Sequence, residues 1–491
     1  MVISEHYTNH NASARTYRKF SLVVKALLCL LSIVIFAQFS QAQPNPGRGG
    51  TQAGFESDAN FQSGSIPSFW SAFTENYSPS ITTFGADWSK GPSGNAVLKQ
   101  QGGVSVPGVT ADRRSIWQVD GNSGSSSVVP EGSTFSGGSN KNGDNIAVGQ
   151  SPYLVELGGS TPQKNDLTNT YLHGRTDPNT GHTWVFFAAE TRSTDGASYL
   201  DFEYNQAGVQ VVPNGSKFNL IGNGLVGGRT VNDLLVIVNF VQGGATPLVA
   251  IRRWMANGTW SDEIPLTDQQ IFIATNTQDI QAVAPNAAFD GSGARTSTTL
   301  ALQLVEGGID ITSLALSGNF DACNPQSTVT VKTRSSASFT SELKDYDILK
   351  FSATPPAEAT VAAITAQCRD ASGSNTFSLS GTYVGVNPVW STTTGTLSNQ
   401  SYVDGVATAT LTLPSGPAGA SATVTLTVQT DNPQCVQPGT DSKTATVNPL
   451  PTVSAGEDKV INCNAENGQI TLTATSTPAG TYLWTASNGG T

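Results

Sequence analysis

The run Tyr199-Leu200-Asp201-Phe202-Glu203-Tyr204 places two carboxylates two residues apart. Side chains on a strand alternate between faces, so Tyr199, Asp201 and Glu203 share one face and Leu200, Phe202 and Tyr204 the other. Paired carboxylates about 5 Å apart can cleave a glycosidic bond, one as acid and one as nucleophile. No third carboxylate falls in register with these two, and Glu190 lies too far back along the chain to join them. The plainer expectation is a solvated strand face: Tyr199, Asp201 and Glu203 become a candidate ligand-contacting face, and no catalytic set is assigned.

Other chemistry-bearing residues are sparse. Of four His, only His173 and His182 lie beyond residue 10. They flank Asp177-Pro178-Asn179-Thr180-Gly181, a hairpin-turn signal, and could in principle face each other across it. Without Cys or Asp at ligand spacing, such a pair points to structural imidazoles rather than zinc. Asp144 and Asp166 sit in polar, Gly/Asn-rich stretches of the kind that ligate calcium, but without EF-hand spacing. No cofactor is expected, and calcium is the one ion these loops would allow. No Gly-x-Ser-x-Gly elbow precedes a His, and no phosphate-binding glycine loop joins a strand to a helix. Phe69, Trp70, Trp117, Trp254 and Trp260 are candidates for a sugar-stacking platform, although buried packing is the more natural role for most of them.

The elements that must position these residues are strands. The 491-residue chain is 12% charged, against ~25% in a typical soluble domain, and it is rich in turn-formers, with 50 Gly and 25 Pro. Its net charge of -11 excludes a nucleic-acid binder of the basic-patch kind. Leu234 to Val241 is almost continuously apolar, as a central strand requires, and Thr299 to Leu304 alternates with three leucines on one face. No convincing amphipathic helix interrupts the pattern, so the expected fold class is all-β.

Arg15, Arg18, Lys19 and Lys25 precede an apolar run from Ala26 to Ala37 and then Ser40-Gln41-Ala42. This is the pattern of a secretory signal peptide over 1–42, cleaved before Gln43. The run is shorter than the ~20 residues of a spanning helix, so no transmembrane span is expected. Residues 43–53 read as a flexible lead-in and 54–354 as one large sandwich. After Pro355-Pro356 the alternation becomes strict: Ala407, Ala409, Leu411 and Leu413 share one face, as do Ala422, Val424, Leu426 and Val428. Residues 355–448 thus read as an immunoglobulin-like sandwich of ordinary size. Cys368 precedes Trp390 by 22 positions and Cys463 precedes Trp484 by 21, which makes 449–491 the start of a second, incomplete repeat. A disulfide between Cys368 and Cys435 is expected to add about 2–4 kcal/mol. The partner of Cys463 is expected beyond Thr491, Cys323 is left over, and the alternative is four buried thiols.

Two resemblances add to this reading. The strand Tyr199 to Tyr204 resembles the Glu-x-Asp-x-Glu strand of laminarinase-type glycoside hydrolases, which share a lectin-like jelly roll; Tyr199 stands at the first Glu, so the nucleophile position is empty. More broadly, four segments resemble those of large secreted bacterial surface proteins, adhesin-like molecules with an N-terminal lectin-like β-sandwich followed by tandem immunoglobulin- or PKD-like repeats. They are Gly54-Phe55-Glu56-Ser57-Asp58 with Ala86-Asp87-Trp88, Thr134 to Lys141, Lys164 to Tyr171, and Val329 to Asp345. Pro449 to Cys463 is similar to the repeats of gliding Gram-negative bacteria. The resemblance implies a lectin-like jelly roll over 54–354 and no catalytic residues. The function expected is a non-catalytic cell-surface protein in adhesion or matrix contact, with an extracellular glycan or protein ligand. The alternative is a polysaccharide-active enzyme or carbohydrate-binding module.

Overall fold

The computed structural model describes residues 50–64, 85–120, 134–192, 198–241, 246–264, 266, 270–314, 327–350, 357–416, 418–430, 438–460 and 470–487, apart from positions 93, 112, 151, 178 and 478. The expected signal peptide, Phe69, Trp70, Cys323, Cys435 and Cys463 lie outside these residues. The fold is all-β and the chain divides into two compact units, Met1–Thr354 and Pro355–Thr491. Among the described residues no helix is long and apolar enough to cross a membrane.

Two antiparallel sheets face each other in the first unit. One has six strands in the spatial order Ile271–Thr275, Leu304–Asp310, Thr183–Thr191, Leu167–Thr176, Ser115–Val119, Gly108–Val109. The other has nine, in the order Val209–Asn214, Lys217–Gly222, Tyr153–Glu156, Thr134–Phe135, Leu343–Lys350, Thr328–Arg334, Tyr199–Asn205, Leu234–Val241, Thr246–Arg253. Alternation sends Leu200, Phe202 and Tyr204 into the core between the sheets, beside Val236, Val238, Val185 and Phe187. Phe187 and Phe202 meet there with ring centroids 4.4 Å apart.

Both sheets are also covered on their outer faces. Phe55, Phe61, Trp88 and Leu98 pack over Trp117, Tyr171, Trp184 and Phe186 of the six-stranded sheet. Leu235 and Ile237 of the nine-stranded sheet pack outward against Trp254 and Trp260. This double cover explains why Leu234 to Val241 is apolar at nearly every position: a strand with both faces covered loses its alternation.

The Asp177–Gly181 turn forms as expected, with Thr176 paired to Thr183 and the Gly181 N–H donating to the Asp177 carbonyl at 2.8 Å. Two expectations fail. Gly50–Gln52 lies inside the stretch read as a flexible lead-in but pairs with Phe55–Ser57, because Ala53 and Gly54 both take positive φ and close a tight hairpin. Thr299 to Leu304 is not one strand. Thr298–Thr299 pairs with Ile280–Gln281, and the chain then turns, with Leu302 at φ +67°. The Leu302 N–H donates to the Asn276 carbonyl at 2.6 Å and the Leu300 N–H to Gln303 Oε1 at 2.8 Å. These bonds outweigh the leucine alternation.

The second unit contains two four-stranded sheets. One runs Glu358–Val361, Ser374–Val384, Val406–Pro414, Thr396–Val403, and the other Gln367–Cys368, Gly439–Asn448, Ala420–Gln429, Val386–Thr392. Ala407, Leu411, Val424 and Leu426 meet Trp390 in their common core. Beyond it, Thr452–Ser454 pairs with Thr475–Thr477. Trp484, which matches Trp390 in the repeat spacing, is 47% exposed, and among the described residues no second sheet packs against the hairpin that precedes it. Leu411 is fully buried, so Leu411→Ala is expected to destabilise the second unit by about 2–5 kcal/mol in urea unfolding.

Candidate functional site

Tyr199, Asp201 and Glu203 share a face, but that face is not solvated and presents no ligand-contacting surface. Asp201 and Glu203 are 0% and 1% exposed. Each carboxylate is met by cations from distant segments. Arg334 Nε donates to Asp201 Oδ2 at 2.8 Å. Arg229 grips Glu203 with two nitrogens, Nε at 2.7 Å and Nη2 at 3.3 Å, and Lys332 Nζ bonds the same carboxylate. Tyr199 is half-buried, with the Arg334 guanidinium 5.7 Å from its ring centre. Burial alone would raise the Glu203 carboxyl, but Arg229 and Lys332 outweigh it and hold it far below the usual carboxylate range.

This buried network anchors a loop. Asn142 Nδ2 donates to Asp201 Oδ2 at 2.6 Å, Arg229 Nη1 to the Asp144 carbonyl at 2.7 Å, and Trp260 Nε1 to the Asn142 carbonyl at 2.8 Å. The guanidinium of Arg229 also stacks 4.6 Å from the Trp254 ring centre. Gly228, at φ +84°, lies so close to Ile146 that a Cβ would stand 2.5 Å from the Ile146 carbonyl carbon. No other residue fits there. The loop from Ser139 to Ile146 is thus fixed to the sheet by charge, indole and glycine together.

The fixed loop forms one wall of a cleft of about 780 Å³, lined by Ser139, Asn140, Asp144, Asn145, Gln150, Pro152, Leu154, Asn214 and Asn219. Leu154 and Asn219 are register partners on adjacent strands. Asn140 is spent on structure: its amide donates to the Ser136 carbonyl and its Oδ1 accepts from the Leu154 N–H at 2.8 Å. Asp144 Oδ2 accepts from the Lys141 N–H at 2.7 Å, and Asn214 Nδ2 donates to Asn219 Oδ1 at 3.0 Å. That leaves Asp144 Oδ1, Asn214 Oδ1, Asn219 Nδ2, the Gln150 amide and the Ser139 hydroxyl without side-chain partners among the described residues. The lining offers hydrogen-bond donors and acceptors in quantity and a single carboxylate.

The remaining sequence candidates fall elsewhere. His173 and His182 do not face each other: His173 Nδ1 bonds Ser115 Oγ, and His182 Nδ1 bonds Asp310 at 2.7 Å. Burial, with Arg175 and Arg114 nearby, lowers His173 well below its usual range. Asp166 is buried against Arg192 at 2.9 Å. Among the described residues no three His, Cys, Asp or Glu side chains form a metal cage. Trp117, Trp254 and Trp260 are buried, so they form no sugar platform. Cys368 is an exposed free thiol, and Cys435 lies outside the described residues. Asn140, Asn145, Gln150, Asn214 and Asn219 were not singled out from sequence; the density of Asn and Gly in 139–145 and 214–215 was the available signal. No protein-family model and no curated protein matches the chain.

Removing one partner from a buried ion pair strands the other charge. Arg229→Ala is expected to cost about 3–5 kcal/mol in urea unfolding. Glu190 supplies a pH test. Burial pushes its carboxyl up to about 7, against hydrogen bonds from Asn169, Tyr171 and Thr299. Its folded value exceeds the unfolded one, so its contribution is fully present below about pH 4.5 and is lost as pH rises to about 7, by roughly 3 kcal/mol. Comparing Glu190→Gln with wild type in urea at pH 5 and pH 8 is expected to show the variant gaining relative stability at the higher pH.

Proposed function

We propose that this is a secreted, non-catalytic cell-surface protein that contacts an extracellular glycan through the cleft beside the 139–146 loop. The single observation that carries this reading is the set of polar atoms lining the cleft without side-chain partners among the described residues: Asp144 Oδ1, Asn214 Oδ1, Asn219 Nδ2, Gln150 and Ser139. Sugar hydroxyls both donate and accept, and amides and carboxylates match them on both counts. Because the loop is already ordered, little entropy is lost on binding. The lining carries Asp144 and no Lys or Arg, which favours neutral or amino sugars over acidic ones. A hydrolytic site needs a second carboxylate flanking the bond, and the lining supplies Asp144 alone.

Export rests on the charged, apolar and small-residue pattern of 1–42, and surface display on the resemblance of the whole to adhesin-like proteins. The second β unit would then act as a spacer that holds the first away from the cell.

A glycan array probed with the purified chain is expected to show binding to neutral or amino-sugar polymers. Asp144→Asn, Gln150→Ala and Asn219→Ala should each weaken the best ligand about 3- to 10-fold, the value of one hydrogen bond, while leaving the unfolding midpoint unchanged. Uniform lack of binding, or binding indifferent to all three substitutions, would sink the proposal.

A further inference from the structure

The outer face of the six-stranded sheet carries a second group of buried acids, of different character. Glu56 belongs to Phe55–Ser57, Asp58 follows it, Asp87 lies on the neighbouring segment, and Glu306 stands on Leu304–Asp310. All four are at most 1% exposed. Phe55 and Ala86 form a parallel bridge, with the Glu56 N–H donating to the Ala86 carbonyl at 2.8 Å. The next residues along the two segments are Glu56 and Asp87, and the Glu56 charge, with those of Glu306 and Asp58, acts on the Asp87 carboxyl. Glu306 reaches the same place from the sheet. Its Oε2 accepts from the Asp58 and Ala59 N–H groups at 2.8 and 2.6 Å, and its Oε1 from Trp88 Nε1 at 2.6 Å.

The hydrogen bonding has a pattern. One oxygen of Glu56 accepts from the Gly64 N–H at 2.8 Å, and one oxygen of Asp87 from the Trp88 N–H at 2.6 Å. The other oxygens, Glu56 Oε1 and Asp87 Oδ2, are buried and have no hydrogen-bond partner. Backbone groups thus orient both carboxylates and leave one oxygen of each open. Among the described residues no Lys, Arg or His pairs with Glu56, Asp87 or Glu306. The nearby Arg175 donates to the Gly54 carbonyl instead, at 2.8 Å. Burial and mutual repulsion push Asp58 and Asp87 well up, and burial raises Glu306 to about 8. Asp201 and Glu203, equally buried, received three cations from the chain. Among the described residues, Glu56, Asp87 and Glu306 received none.

We propose that Glu56 Oε1 and Asp87 Oδ2 bind a calcium ion, which clamps the N-terminal cover to the six-stranded sheet. Oxygen-only donors select a hard cation, and calcium tolerates irregular sites better than magnesium does. Two carboxylates can hold calcium where backbone carbonyls and water complete the shell.

The purified full chain, stripped with EGTA and titrated with calcium chloride at neutral pH, tests this. Calcium is expected to raise the thermal midpoint by roughly 5 °C, with magnesium far less effective. Glu56→Gln and Asp87→Asn should weaken calcium binding at least tenfold while keeping the wild-type circular dichroism. Terbium, bound in place of calcium, should luminesce through Trp88 and lose that signal in Trp88→Phe, which keeps the calcium-induced rise. This last variant leaves every carboxylate in place and so guards against misfolding of the others. A wild-type midpoint indifferent to calcium would overturn the proposal and show that protons alone neutralise the group. A calcium response retained in both carboxylate variants would overturn it too, by placing the ion elsewhere.

Discussion

A carboxylate cannot be buried without something to meet its charge, and in the first unit that constraint governs what the sheets can carry on their outer faces. Glu203 is met by Arg229 and Lys332, and Asp201 by Arg334 and Asn142. Replacing such ion pairs by apolar residues is often neutral or stabilising in proteins generally, so these are weak candidates for a source of net stability. Their effect is geometric. Arg229 has donors left over after gripping Glu203, and it places one on the Asp144 carbonyl. A greasy contact would hold the loop down without fixing where Asp144 points. A guanidinium held by Glu203, Tyr153 and two indoles fixes both.

That rigidity connects the interior to the cleft. The polar atoms that line it come from a loop and a hairpin, elements that ordinarily move. Here the loop is bonded at Asn142 and Asp144 to the sheet beneath, and Asn214 and Asn219 brace each other across the hairpin. A flexible amide would lose much of its binding energy to ordering. A braced one keeps it.

Period-two alternation made the strands legible in the sequence, and the side of Tyr199–Asn205 on which Asp201 and Glu203 fall was legible too. What that side faces was not. The partners stand 26 residues away at Arg229, 129 away at Lys332 and 133 away at Arg334, on segments that meet only after the sheet is assembled. No local pattern encodes such a meeting. The same limit hid the cleft, whose lining comes from 139–154 and 214–219 and whose members are ordinary turn residues. The leucines of Thr299 to Leu304 misled for the opposite reason. Their pattern is local, and a hydrogen bond to Asn276 outranks it.

The low charge of the chain takes on a different meaning once the residues are placed. Of 36 acidic residues, thirteen are buried among the described ones, against four of 25 basic residues: Arg192, Arg229, Lys332 and Arg334. Much of the acidic excess is therefore an interior property rather than a surface one. Those four cations serve Asp166, Glu203 and Asp201, while Asp310 is met by His182 and Asp347 by Thr170 and Gln118. Glu190 relies on donors and a raised affinity for its proton. At Glu56 and Asp87, backbone donors orient the carboxylates, while Glu56 Oε1 and Asp87 Oδ2 are buried without a hydrogen-bond partner. A single proton could relieve one of them; a divalent ion relieves both and uses the orientation the backbone has already imposed.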